Sequence, residues 1–168
     1  MEPKLLLLGL LRQHDMHGYQ LYEFIERDLS ICTDLKKPTA YFLLGKMAEE
    51  GWIHEEQVQE GNRPPRRVYS LTGNGEAEYQ RLLRQNLSSY TPAFFAGDAG
   101  LAFFDTLEPQ EALSLLKERR GRMAGALAGL NAVPAHAGSL QLVIDHRRRH
   151  LQAELEWLDS LLERPELS

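Results

Sequence analysis

The stretch from Lys37 to Leu71 limits what this chain can fold into more than any other. It begins with a helical pattern running from Lys37 to about Glu50, with Pro38 in the first turn. Proline suits that position, since the N–H it lacks would find no partner there. Leu43, Leu44 and Met47 recur at helical spacing and give the helix an apolar face. Gly51 stops it, because glycine enters the left-handed C-cap conformation without steric cost. Two short extended runs follow, Trp52-Ile53-His54 and Arg67-Val68-Tyr69-Ser70-Leu71. Between them lies the polar tip Glu60-Gly61-Asn62-Arg63-Pro64-Pro65, with Arg66 just behind it. A helix followed by a two-stranded ribbon with a basic tip is the order of a winged helix-turn-helix. There the helix reads the major groove while the wing grips the backbone or the minor groove.

The charge balance opposes that reading only weakly. The chain of 168 residues carries a net charge of −5, with a pI near 5.7. Affinity for DNA depends on where basic side chains sit, not on their sum. Lys36, Lys37, Lys46, Arg63, Arg66 and Arg67 all lie within or beside the proposed helix and wing. Acidic Glu49, Glu50, Glu55 and Glu56 lie past the end that meets DNA. The spacing turns Thr39, Tyr41 and Lys46 toward the groove and leaves Arg63, Arg66 and Arg67 to hold phosphates or the minor groove. For Tyr41 the pattern leaves two readings, a contact to phosphate or base and a ring packed under the wing.

Four segments resemble the PadR family of bacterial transcriptional regulators, in the family's order. "PTAYFLLGKMAEEGWI" and "RPPRRVYSLTGNGEAEY" resemble its recognition helix and its wing with the next helix. "LLLLGLL" and "HGYQLYEFI" resemble the first two helices, and "LQAELEWLDSLL" the last helix of members with a long C-terminal region. The resemblance implies a DNA-binding repressor that works as a homodimer on double-stranded operator DNA. It also implies release by a small aromatic or lipophilic effector, near the junction of head and tail or at the dimer interface.

Around the wing, the chain reads as mainly α. Leu5, Leu7, Leu8 and Leu11 make a first helix that is apolar on all sides, hence buried. Lys4 is the only basic residue before it and no small cleavage-site residues follow, so it does not read as a signal peptide. Gln13–Met16 reads as a loop, and His17 as the cap of a second helix with Leu21, Tyr22, Phe24 and Ile25 inside. After the wing, Thr72 is a good N-cap for a helix to about Leu87, with Leu82 and Leu83 turned inward. Ser88-Ser89-Tyr90-Thr91-Pro92 breaks any helix. It divides a DNA-binding domain, 1–90, from a C-terminal helical dimerisation domain, 91–168.

The tail reads as helical throughout. Pro109 opens one helix with apolar positions Leu113, Leu116, Met123, Leu127 and Leu130, interrupted by Arg120. Val133–Gly138 is a turn, and Ser139 caps a last helix carrying Val143, Ile144, Leu151, Leu155, Leu158 and Leu162. Two such seams joined by a tight turn form an antiparallel hairpin. The head covers only part of this apolar surface, so a second copy is expected to pair along Leu151, Leu155, Leu158 and Leu162, with Trp157 at the margin. Between Tyr90 and Phe104, the residues Phe94, Phe95, Phe103 and Phe104 lie among small ones. They either fill the core or line an effector cavity.

No enzyme is expected and no cofactor. The chain has no P-loop, no dinucleotide fingerprint, no HExxH and no GxSxG. Cys32 is its only cysteine, which excludes an internal disulfide and a zinc-finger framework and fits a cytoplasmic protein. His146 and His150 have the spacing of metal ligands, but Arg147-Arg148-Arg149 between them disfavours a cation. That run reads as a solvated face paired with Asp145 and Glu154. A second class of function fits the acidic balance: a winged-helix protein–protein adaptor that does not bind DNA.

Overall fold

The computed structural model describes residues 3–13, 16–17, 20–21, 23, 35–59 and 65–164. It divides into two compact units, Met1–Pro92 and Ala93–Ser168.

In the first unit, the leucine run folds as helix α1 (Pro3–Leu11), with Leu7, Leu8, Leu10 and Leu11 buried. The short strand β1 (Met16–His17) follows. Residues 20, 21 and 23 are helical and Leu21 is buried, but the rest of the expected second helix, like Cys32, lies outside the described residues. Helix α2 (Lys37–Glu49) buries Ala40, Leu44 and Met47. Leu43 is only half-buried, one step off the inner line that runs 40, 44, 47.

Gly51 ends α2 as its position requires, with φ +70. The Trp52 N–H donates to the Met47 carbonyl at 2.9 Å and the Gly51 N–H to that of Ala48 at 3.0 Å. This is a Schellman cap, in which a left-handed glycine satisfies the last carbonyls of the helix. Strands β2 (Ile53–Val58) and β3 (Arg66–Leu71) then pair antiparallel, from Ile53 opposite Leu71 to Val58 opposite Arg66. The first wing strand is thus longer than the expected Trp52–His54. Its polar residues Glu55, Glu56 and Gln57 are held by the backbone ladder, which does not depend on side-chain polarity.

A third strand corrects the expected loop and cap. Met16 and His17 pair with Tyr69 and Val68, so the sheet order is β1-β3-β2 with the basic strand in the middle. Two residues are too few for a period-2 pattern to show in sequence.

Helix α3 (Gly73–Ser88) starts at Thr72, whose side chain accepts a hydrogen bond from the Gly75 N–H at 3.0 Å. The same hydroxyl lies 2.7 Å from the Gly51 carbonyl and 2.9 Å from that of Trp52. Gly75 is required by close approach: a Cβ there would overlap the Trp52 carbonyl. Leu82 is buried and Leu83 half-buried. One core gathers Leu7, Leu8, Leu11, Leu44, Met47, Ile53, Tyr69 and Leu82. Lys4 ties α1 to the end of α2, 3.1 Å from Glu50 and 4.4 Å over the Trp52 ring.

The second unit is less helical at its start than expected. Only helix α4 (Asp98–Ala102) and a 3-10 turn (Phe104–Thr106) form before Pro109. Gly97 and Gly100, weak helix formers, keep α4 short. Helices α5 (Pro109–Ala132) and α6 (Ser139–Leu162) then pack as the antiparallel hairpin. Arg119 meets Glu154 at 2.5 Å, Arg120 pairs with Asp159, and Arg148 reaches Asn131 at 2.8 Å. The turn ends in Gly138, at φ +74, and that residue rather than Ser139 stands at the cap.

Two of the four proposed dimer leucines are used up inside this unit. Leu158 has no exposed surface and Leu155 only 9%. Ala112, Leu113, Leu116 and Ile144 are the other buried residues of the hairpin. No described helix is long and apolar enough to cross a membrane.

Candidate nucleic-acid interface

Helix α2 buries one side in the core and turns the other to solvent. Opposite Ala40 and Leu44 stands a stripe of Thr39, Phe42 and Lys46, at three- and four-residue spacing and all exposed. Tyr41 flanks the stripe, 37% exposed. The Lys46 ammonium lies over the Phe42 ring, 5.2 Å from its centroid. Lys36 and Lys37 flank the start of the helix, where no side chain caps the backbone N–H groups. The positive end of the helix dipole and two exposed lysines therefore lie together.

Lys37, Thr39 and Lys46 stand exposed. Phe42 is the residue that sequence reasoning missed. Its signal was available, since an aromatic placed out of phase with Ala40, Leu44 and Met47 has to face outward.

On the wing, Arg66 and Arg67 begin β3 and are exposed. Arg63 lies outside the described residues. The Arg67 guanidinium sits 3.3 Å from the Glu55 carboxylate, reaching diagonally across the ladder, because Glu55 is opposite Tyr69 and Gln57 opposite Arg67. Beneath them the Tyr69 phenol is pushed above its ordinary pKa, first by burial and then by the charge of Glu55, with Arg67 opposing. Tyr69 therefore stays a neutral hydrogen-bonding anchor. In the pair above it Arg67 is exposed and Glu55 half-buried, and ion pairs at the surface hold weakly, typically by about 0–1 kcal/mol. A phosphate can take Arg67 from Glu55 at small cost.

The second unit holds a cavity of about 270 Å³ lined by Phe95, Asp98, Leu101, Arg119, His150 and Trp157, with Ala153 and Glu154. Phe95 stacks on His150, ring centroids 5.3 Å apart and planes at 16°. Gly97 lets Arg119 lie close to the backbone, where a Cβ would meet its guanidinium. Of the four expected phenylalanines only Phe95 lines this space. Phe94 and Phe103 are 94% and 68% exposed, and Phe104 is half-buried outside the lining. The arginine run is divided: Arg148 pairs with Asp145 at 2.9 Å, whereas Glu154 goes to Arg119 from the facing helix.

A two-stranded wing, joined by β1 into a three-stranded sheet, beside a helix whose exposed face carries Lys46 defines a winged-helix protein. Residues 7–81 match the Transcriptional regulator PadR-like family. The chain is 28% identical over 129 residues to the negative transcriptional regulator PadR of Bacillus subtilis, covering 76% of this chain and 70% of that one. The crystal structure of B. subtilis PadR in complex with operator DNA superposes with a TM-score of 0.81 at 22% identity, covering 95% of this chain and 96% of the other. The same protein in complex with p-coumaric acid gives 0.77 at 22% identity, covering 95% of each chain. Residues 7–81 thus resemble that family, and the relative from B. subtilis is a transcriptional regulator.

Proposed function

We propose that this chain is a sequence-specific repressor that binds operator DNA as a homodimer and is released by a small aromatic effector. The observation that carries the DNA reading is the outward stripe of α2, basic at Lys46, with Lys37 at the start of the helix and a wing strand that begins Arg66-Arg67. Thr39 and Tyr41 face the major groove with Lys46, while Arg63, Arg66 and Arg67 hold the backbone or minor groove. Repression is supported by the B. subtilis relative, a negative regulator. Such a role places the chain in the cytoplasm, with the DNA.

The effector reading rests on the cavity walled by Phe95, His150 and Trp157, flat surfaces suited to a planar ring. The relative crystallised with p-coumaric acid supports that chemistry. The ligand acts by favouring the dimer geometry that does not fit the operator. A full reversal of the population takes a preference of roughly 5.5 kcal/mol.

The test is retardation of promoter duplexes from the gene's own neighbourhood, over a range of salt. Arg66→Ala with Arg67→Ala is expected to weaken binding on every sequence and to lower the salt slope by about one per lost phosphate contact. Thr39→Ala is expected to change which sequence is preferred. An unchanged slope in the wing variant rules the wing out, and no retardation of any duplex leaves the adaptor reading.

A further inference from the structure

We infer that Phe42 reads the 5-methyl group of thymine in the major groove, an inference that rests on the proposed placement of α2 against DNA. The ring stands at the centre of the solvent face, one helical turn beyond Thr39 and one before Lys46, and is 61% exposed. Ala40, Leu44 and Met47 already fill the inner face, so Phe42 has no part in the core. A single exposed apolar side chain is ordinary by itself; what marks this one is its place on the outward face of α2 with a lysine ammonium over its ring.

The surroundings favour a base over an apolar protein surface. Lys46 holds its ammonium over the ring, so whatever covers Phe42 meets positive charge as well. A duplex supplies both halves, a phosphate for the lysine and an apolar group for the ring. In the major groove only thymine presents an apolar group, its C5 methyl, and phenylalanine is among the side chains that contact it. Phe42 also lies in the first half of α2, the end of a recognition helix that reaches base edges.

The experiment selects preferred duplexes from a random pool with the full chain, and then replaces each thymine in turn by deoxyuridine, which removes only the methyl. The expected result is a loss of affinity of about fourfold at one thymine per half-site, the scale of one buried methyl. Phe42→Ala is expected to lose affinity for the parent site and to bind the thymine and deoxyuridine forms equally. Phe42→Leu, still apolar, is expected to keep part of the discrimination. Thermal melts matching wild type confirm that these surface changes leave the fold intact. Selection of the same sites by Phe42→Ala, or deoxyuridine penalties that survive in it, overturns the thymine contact while leaving DNA binding in place. Failure to enrich any duplex overturns both this inference and the reading it rests on.

Discussion

At the scale of single residues, the glycines near the wing separate conformational need from close approach. Gly75 has a φ any residue adopts, yet its Cα faces the Trp52 carbonyl so closely that no Cβ fits. Gly73, two positions earlier in the same helix, has nothing within 4 Å. The prediction is a sign change between neighbours. Gly75→Ala should destabilise by about 1–3 kcal/mol, because a backbone atom cannot rotate out of the way as a side chain can. Gly73→Ala should instead stabilise by roughly 0.4–1 kcal/mol, by narrowing the unfolded ensemble. Urea melts of the two variants check it, and equal effects would place the close approach elsewhere. Sequence reading treats both glycines as weak helix formers in a first turn. It has no access to the carbonyl that distinguishes them, which comes from a strand end 23 residues away.

At the scale of elements, the tail hairpin is held by apolar burial along its seam and by cross-helix ion pairs at its edges. The bond from Arg120 holds the Asp159 carboxyl below its ordinary pKa. A depressed carboxyl contributes stability above its unfolded pKa and loses it as pH falls through the folded one. Asp159→Asn should therefore be less stable than wild type near neutrality, and the two should converge as the pH drops below the ordinary aspartate range. Thermal melts at a series of pH values read this directly, and a difference that persists at the acid end would assign the effect to packing. The seam itself is sensitive to volume: Leu158→Ala should cost about 2–5 kcal/mol, the range for emptying a fully buried leucine site. That loss should appear whatever the oligomeric state, because Leu158 is already covered within its own unit.

For the whole molecule, the proposed dimer has to use surface that the hairpin leaves open. Leu115 and Leu142, at 49% and 70% exposure, lie on α5 and α6 and have no place in the seam. Leu142→Asp is therefore the informative substitution: it should yield monomers in sedimentation without unfolding the hairpin. Leu155→Asp would put a charge into the core and confuse the two effects. A two-fold dimer sets its reading helices about one DNA turn apart, roughly 34 Å, so footprints should cover a near-palindrome. A sedimentation profile for Leu142→Asp identical to wild type would remove this face from the interface. The sequence by itself determined the winged-helix order, the Gly51 stop, the Thr72 cap and the tail hairpin. Each of these is written in local terms: a period, a breaker, a capping side chain. It did not determine the third strand, the pairing of Arg67 with Glu55, or which phenylalanine lines a cavity. Nor did it show that Leu155 and Leu158 belong to the chain's own core. Apolar periodicity reports that a face is covered but carries no information about what covers it, since a facing helix of the same chain and one from a second copy exclude water alike. Only the tertiary structure, by closing α5 onto α6, decided between them.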